Sequence, residues 1–299
     1  MTGGFLGPEC WAQPERANCV VIPVPFDATT CYKSGARDGP AAILAASPHM
    51  ELYDEDADCQ GWRWGIHTDG PVEPRLPPEA MTAAVEERVE GWLSRGRFPV
   101  LLGGDHSISI GAMRACARRF PGLVVVQLDA HTDLRDSYQG SPLSHACVMR
   151  RALEAGASIC QVGIRSTSPE ELAFMEERGL RPIWAREVWE DLEAAAARLL
   201  GAVAGRPIYL TIDLDCLDPS IMPAVGTPEP GGLQWYPLIH LLETVVEGGD
   251  VVALDLVELA PIPGLHAADY LAARLLYKLI SLLFRRRVGS PREDGDGRR

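Results

Sequence analysis

Leu123–Asp133 reads LVVVQLDAHTD, an apolar run that breaks into Asp129, His131 and Asp133. Val124, Val125, Val126 and Leu128 have the hydrophobicity of a parallel strand buried on both faces. Alternate side chains of an extended chain share a face, so the two carboxylates and the imidazole point one way. Such a set suits Mn, Fe, Co or Zn better than Ca, and no thiol enters it. Read alone, the stretch is also compatible with a solvated acidic strand end.

Two further stretches repeat the design. Ile208–Asp218 reads IYLTIDLDCLD, in which Asp213 and Asp215 share one face at a strand exit and Cys216 points away into packing. Phe98–Ser107 reads FPVLLGGDHS, an apolar run that stops at two glycines and presents His106, with Asp105 beside it as a loop-fixing group. Open parallel sheets place their sites outside the carboxyl ends of strands. His106, Asp129, His131, Asp133, Asp213 and Asp215 are together enough for two divalent ions that share carboxylates.

The chain has 299 residues, 46% of them hydrophobic, which supports a sizeable core. A net charge of -13 disfavours nucleic acid and anionic membranes as partners and is compatible with a cationic substrate. No apolar run reaches membrane-spanning length. MTGGFLGPEC at the start has neither the basic nor the apolar region of a signal peptide. The eight cysteines are scattered singly, as expected of reduced thiols in a cytoplasmic protein.

The pattern along the chain alternates strand and helix. Residues 1–18 read as a loose lead-in, 19–284 as one domain, and 285–299 as a charged, Gly-rich disordered tail. Strands are expected at 20–24, 99–103, 123–129, 159–164, 181–184, 208–213 and 251–257. Helices are expected at 39–47, 78–95, 107–120, 146–155, 169–177, 188–203, 236–247 and 266–284, with Ser168 or Thr167 capping the fifth. Glu51–Asp58 reads as a solvated acidic face, and Trp62–Pro78 as irregular. Such alternation means an α/β fold with a single doubly wound, mainly parallel sheet and helices on both faces.

GGDHS at Gly103–Ser107, DAHTD at Asp129–Asp133 and TIDLDCLDPSIMPAVGTPEPGGL at Thr211–Leu233 closely resemble, in the same chain order, the ureohydrolases, the arginase and agmatinase superfamily. The resemblance runs from about Val20 to Leu283; PFDATTCYKSGARDGPAAI at Pro25–Ile43 and QVGIRS at Gln161–Ser166 are similar to agmatinase segments. It implies a three-layer α/β/α fold with an eight-stranded sheet, a dimanganese centre, and a homo-oligomer, trimer or hexamer. Carried over by motif, His106, Asp129, Asp133 and Asp213 would hold one Mn(2+), and Asp129, His131, Asp213 and Asp215 the other. His145 in SPLSHACVMRR would be the catalytic histidine, with Ala146 where the family usually has Gly. Glu258 in DLVELAP would bind the guanidinium.

The implied reaction is hydrolysis of a guanidino group to urea. A guanidinium carbon is a poor electrophile; a metal-bound water, with its pKa lowered to roughly 7, supplies hydroxide at working pH. Asp133 could pass the hydroxide proton to the leaving nitrogen, and His145 suits a shuttle because an ordinary imidazole titrates near 6.5. Arginases carry an Asn two residues after DAHTD that helps hold the α-carboxylate; here the position is Arg135, in the loop RDSYQGSPLS. Agmatine is therefore expected to be preferred over arginine. Glu229 should lie near the site and favour an amine tail, and Asp136 should neutralise Arg135 locally. Arg135 pointing inward unpaired would favour a guanidino acid such as 4-guanidinobutyrate. Formimidoylglutamate hydrolysis, a non-catalytic metal-binding regulator and a one-metal zinc deacetylase of related fold are the other readings.

Overall fold

Phe98–Gly103 and Val124–Leu128 pair through their neighbours into one sheet, and every strand pair in it is parallel. The structure, a computed structural model, describes residues 4–288. Its eight strands are β1 (Cys19–Val24), β2 (Ile66–Thr68), β3 (Phe98–Gly103), β4 (Val124–Leu128), β5 (Ser158–Ile164), β6 (Ile183–Trp184), β7 (Pro207–Asp213) and β8 (Asp250–Val257). They lie side by side in the order β2-β1-β3-β8-β7-β4-β5-β6.

Period-two alternation divides the core. Val21, Leu102, Val126, Leu210 and Leu254 face one side, beneath α1 (Gly39–Ala46), α7 (Leu192–Val203), α8 (Trp235–Gly248) and α9 (His266–Val288). Val20, Leu101, Val125, Tyr209 and Ala253 face the other, beneath α2 (Pro78–Leu93), α3 (Ser109–Arg119), α4 (Val148–Glu154) and α5 (Pro169–Arg178). The result is the three-layer α/β/α fold, with helices covering both faces of a parallel sheet.

Several local expectations need correcting. β2 lies inside the stretch expected to be irregular, where the surrounding glycines and prolines mask a three-residue edge strand. The lead-in is packed rather than loose: Phe5 and Leu6 are buried, and their N–H groups donate to Thr68 Oγ1 and Ser47 Oγ. The helix expected at 188–203 is two, α6 (Ala185–Glu190) and α7, because Asp191 is extended and its carboxylate caps Ala194 N at 3.0 Å. Asp54, in the stretch read as solvated, is fully buried and accepts from Lys278 Nζ at 2.9 Å. α9 continues through Arg285–Arg287, where Arg287 donates to Val251 O at 2.6 Å and lies over Trp64 and Phe98. Cations suit a helix C-terminus. The expected tail beyond residue 288 lies outside the described residues.

Candidate functional site

The four central strands β3, β8, β7 and β4 are neighbours, and each ends at an ionisable residue singled out above. His106 follows β3, Glu258 follows β8, Asp213 closes β7 and Asp129 follows β4. Registry pairs Leu128 with Ile212 and Asp213 with Val257, so the exits of adjacent strands are level. At the β3 exit the chain passes hard against β1: a Cβ on Gly104 would lie 1.8 Å from Phe26 O. That approach lets Asp105 N donate to Phe26 O at 2.7 Å and delivers His106 inward.

His106 is almost wholly buried. Its Nε2 pairs with Thr211 Oγ1 at 2.8 Å, which turns Nδ1 toward the acids. Nδ1 lies 3.1 Å from Asp129 Oδ2, 3.0 Å from Asp133 Oδ2 and 3.4 Å from Asp213 Oδ2, yet has hydrogen-bonding geometry to none of them. Three carboxylates thus lie within 3.4 Å of an unbonded ring nitrogen. His131 Nδ1 lies 3.0 Å from Asp215 Oδ2 and 3.6 Å from Asp129 Oδ1. Two overlapping groups able to hold a cation result: His106, Asp129 and Asp213, and Asp129, His131 and Asp215. Asp129 belongs to both, whereas Asp213 falls in the first alone and Asp133 falls outside both. An orphaned buried nitrogen amid acidic oxygens fits a divalent ion, and the oxygen-rich, thiol-free donor set is of the kind Mn accepts.

Electrostatics point the same way. Burial, then the charge of Asp129, pushes the Asp133 carboxyl up to about 7. Burial, then Asp215 and Asp129, drives Asp213 well above the carboxylate range. Glu258 rises likewise through burial and Asp105. Burial lowers His106, but the crowd of Asp129, Asp133 and Asp213 outweighs it, and the pKa rises well above the ordinary value. His131 rises because the charge of Asp215 overcomes burial. The apo site thus retains protons that a metal would replace.

Asp133 and Glu258 both sit at positive φ, 50° and 66°, which is uncommon for side-chain-bearing residues. Asp133 is held there by its carbonyl, which accepts from Met149 N and Arg150 N at the start of α4. Glu258 N donates to Gly104 O at 2.8 Å, and Glu258 Oε1 accepts from His106 N at 2.8 Å. Non-glycine residues held in that region cluster at functional sites.

A cavity of about 220 Å³ opens over the acidic cluster, lined among others by His131, Asp133, His145, Arg135, Tyr138 and Cys31. His145 stands against Tyr138 edge to face, and burial lowers its pKa, so it is neutral near pH 7. Arg135 reaches the cavity but is engaged: it lies over the Tyr138 ring at 5.1 Å, with Glu170 at 3.7 Å. Asp136 does not neutralise it; its carboxylate turns the other way, to Arg151 at 3.1 Å and Arg150 at 3.7 Å. Glu229 is 39% exposed, with Oε1 3.9 Å from His131 Nε2 at the rim.

Supporting groups escaped the sequence reading. Gln127 Nε2 donates to Asp129 Oδ2 at 2.7 Å, and Gln161 Nε2 donates to Gln127 Oε1 at 2.6 Å. Glu171 Oε1 accepts from Thr132 Oγ1 at 2.8 Å and Leu134 N at 2.9 Å, while its Oε2 and Ser168 form the capping box of α5. Arg165 donates to the carbonyls of Asp215 and Glu229, both at 2.7 Å, fastening the 227–233 loop to the β7 exit. The signal for Gln127 was its place two residues before Asp129 on the same strand face.

Comparison with known proteins agrees with this geometry. The profile described as Arginase family matches residues 17–281. The N(1)-aminopropylagmatine ureohydrolase of Synechocystis sp. is 38% identical over 285 residues, covering 92% of this chain and 92% of the relative. The agmatinase of Bacillus subtilis is 35% identical over 253 residues, covering 83% of this chain and 85% of the relative. The crystal structure of agmatine ureohydrolase of Thermoplasma volcanium superposes with a TM-score of 0.83 at 34% identity, covering 91% of both chains. The sheet order, the ligand-rich strand exits and these similarities agree: this chain is a hydrolase of the arginase family.

Proposed function

We propose that the protein hydrolyses agmatine to urea and putrescine at a centre of two Mn(2+) ions. The observation that carries this reading is the pair of overlapping ligand groups that meet at Asp129 beneath the cavity containing His145. His106, Asp129, Asp133 and Asp213 would hold one ion, and Asp129, His131, Asp213 and Asp215 the other. When bound, such ions supply hydroxide at neutral pH and stabilise the charge that develops on the attacked carbon's substituents.

The chain's own residues do the rest. Glu258 offers a buried carboxylate whose charged form is disfavoured until a cation arrives, and a planar guanidinium is the complementary partner. Glu258 Oε1 already accepts from His106 N, so the guanidinium-binding group is fixed relative to the ligand set. Asp133, ionised beside the metal, accepts the proton released on attack and hands it to the leaving nitrogen. His145, neutral at the cavity wall, would pass to solvent a separate proton, the one given up by the water that restores the site after turnover.

The tail of the substrate reads as an amine. Glu229 at the rim is an acid, and Arg135 is engaged by Glu170 and Tyr138, which weakens the case for a guanidino acid. A second reading, N(1)-aminopropylagmatine, is favoured by the name of the Synechocystis relative and by Glu229, which would receive its additional amine. The protein would act in the cytoplasm as a homo-oligomer, trimer or hexamer. All eight cysteines are free thiols, as a reducing compartment allows, and no described helix is long and apolar enough to cross a membrane. The test is kcat/KM for urea release from agmatine, N(1)-aminopropylagmatine, 4-guanidinobutyrate and arginine with added Mn(2+). Agmatine is expected to lead; arginine or 4-guanidinobutyrate ahead of both amines would overturn the assignment.

A further inference from the structure

Three segments far apart in the chain meet at His145. Thr29 comes from the loop after β1, Asp105 from the exit of β3, and His145 from the turn before α4. Asp105 is fully buried, and each of its oxygens receives one main-chain N–H and one hydroxyl. Oδ1 accepts from Ser107 N at 3.1 Å and from the Ser107 hydroxyl; Oδ2 accepts from Thr29 N at 2.8 Å and Thr29 Oγ1 at 2.9 Å. Four converging donors are what an ionised carboxylate accommodates.

A hydroxyl has one proton and two lone pairs. The Thr29 proton is committed to Asp105, so only lone pairs remain for His145. One accepts from His145 N at 3.0 Å, and Oγ1 also faces His145 Nδ1 at 3.4 Å. A ring nitrogen set against an acceptor carries the hydrogen. Tyr138, at 5.6 Å and 89° to the imidazole, limits rotation of the ring that would exchange the two nitrogens. Ser144 Oγ is the competing neighbour of Nδ1, at 3.2 Å, but its hydroxyl is free to act as donor or acceptor and so imposes no tautomer.

We propose that Thr29, anchored by Asp105, is a positioning residue that holds His145 as the Nδ1–H tautomer and leaves Nε2 as the nitrogen that exchanges protons with the cavity. This deepens the hydrolase reading and rests on His145 moving protons there. The chain Asp105–Thr29–His145 aligns a base through a hydroxyl rather than by a direct carboxylate contact, so no proton need leave Asp105 or Thr29 during turnover.

The test measures kcat, KM and bound Mn in the Mn-loaded full chain with agmatine, for Thr29→Val, Thr29→Ser, Ser144→Ala and His145→Ala. Thr29→Val keeps the shape and removes the acceptor. It is expected to lower kcat about tenfold to a hundredfold, as loss of an orienting partner does, with KM and Mn content near wild type. Thr29→Ser should restore most of kcat, and Ser144→Ala should stay near wild type. If the valine variant does not fold, Thr29→Ala makes the same measurement. Wild-type kcat in Thr29→Val alongside an impaired His145→Ala overturns the tautomer assignment alone. So does a loss that serine fails to restore, or a loss that follows Ser144 instead. Wild-type kcat in His145→Ala overturns the proton-shuttle reading as well.

Discussion

Two groups of acids among the described residues contain buried carboxylates, Asp54 in one and the strand-exit acids in the other, and only Asp54 is neutralised by a lysine of the protein. Under α9, Lys278 Nζ is 2.9 Å from Asp54 Oδ1 and 2.7 Å from Asp56 Oδ2, and Arg274 is 2.9 Å from Glu55 Oε2. At the carboxyl ends of β3, β8, β7 and β4, no described lysine or arginine forms an ion pair with Asp129, Asp133, Asp213, Asp215 or Glu258. Their partners there are imidazoles, main-chain N–H groups and the Gln127 amide. A paired buried acid secures the fold, whereas an unpaired group of buried acids awaits a cation from outside. Asp54 and the strand-exit acids are alike in burial; what separates them is the location of the nearest fixed positive charge.

The largest break in this contrast should come from Asp129→Asn. Asp129 is the residue common to both ligand groups, so one substitution weakens both. Loss of urea release is expected to exceed the roughly 10–100-fold typical of outer supporting groups, with metal content falling in parallel, and chelation of the wild-type protein should produce the same loss. Retention of activity after complete metal removal would refute the metal-centre reading.

Next in size is Lys278→Met, which leaves Asp54 buried without its cation. Removing one partner of such a pair costs about 3–5 kcal/mol. Denaturant melts should show a loss of that order, while kcat per folded molecule stays unchanged. An unchanged melt would mean that the acidic stretch hydrates when Lys278 is lost and that the contrast drawn here is overstated.

The two clusters were not equally legible in the sequence. At the strand exits the ligands follow apolar runs at a spacing of two residues, so position and facing could both be read from DAHTD and from IDLD. Asp54 could not be read this way, because its cation is 224 residues away in the otherwise largely apolar run of Leu275–Phe284. The same distance barrier hid Thr29, which is 116 residues from His145. The sheet was legible in seven of its strands; β2, in a Pro- and Gly-rich stretch at the edge, and the break at Asp191 inside an Ala-rich run were not. Asp136 shows the reverse error: adjacency to Arg135 suggested a pair, but neighbours in an extended loop face apart, and the two side chains found other partners.

The smallest effect, and the one that tests the charge argument most directly, is the pH dependence of metal stabilisation. Asp133 is ionised above about 3.9 in an unfolded chain but titrates at about 7 in the metal-free fold. The unfolded state therefore gives up its proton first, and the metal-free fold loses stability as pH rises from about 4 through about 7. Asp213 and Glu258 are raised by the same burial and lose stability in the same direction. The raised His106 contributes stability that is full below about 6.5 and is also lost as pH rises further. Bound metal removes these losses by favouring the deprotonated ligands. The lowered His145 acts with opposite sign, but it does so with or without metal and cancels in the difference. The gap in Tm between Mn-loaded and chelated protein should accordingly widen from pH 5.5 to pH 8. One pKa unit corresponds to about 1.4 kcal/mol, roughly a few degrees of Tm for a protein of this size. Lys278, whose raised pKa keeps it charged across that whole range, should shift both curves together in Lys278→Met without changing the gap. A gap that is flat or narrows with pH would mean that the strand-exit acids are compensated without metal, and the difference between the two clusters would lose its physical basis.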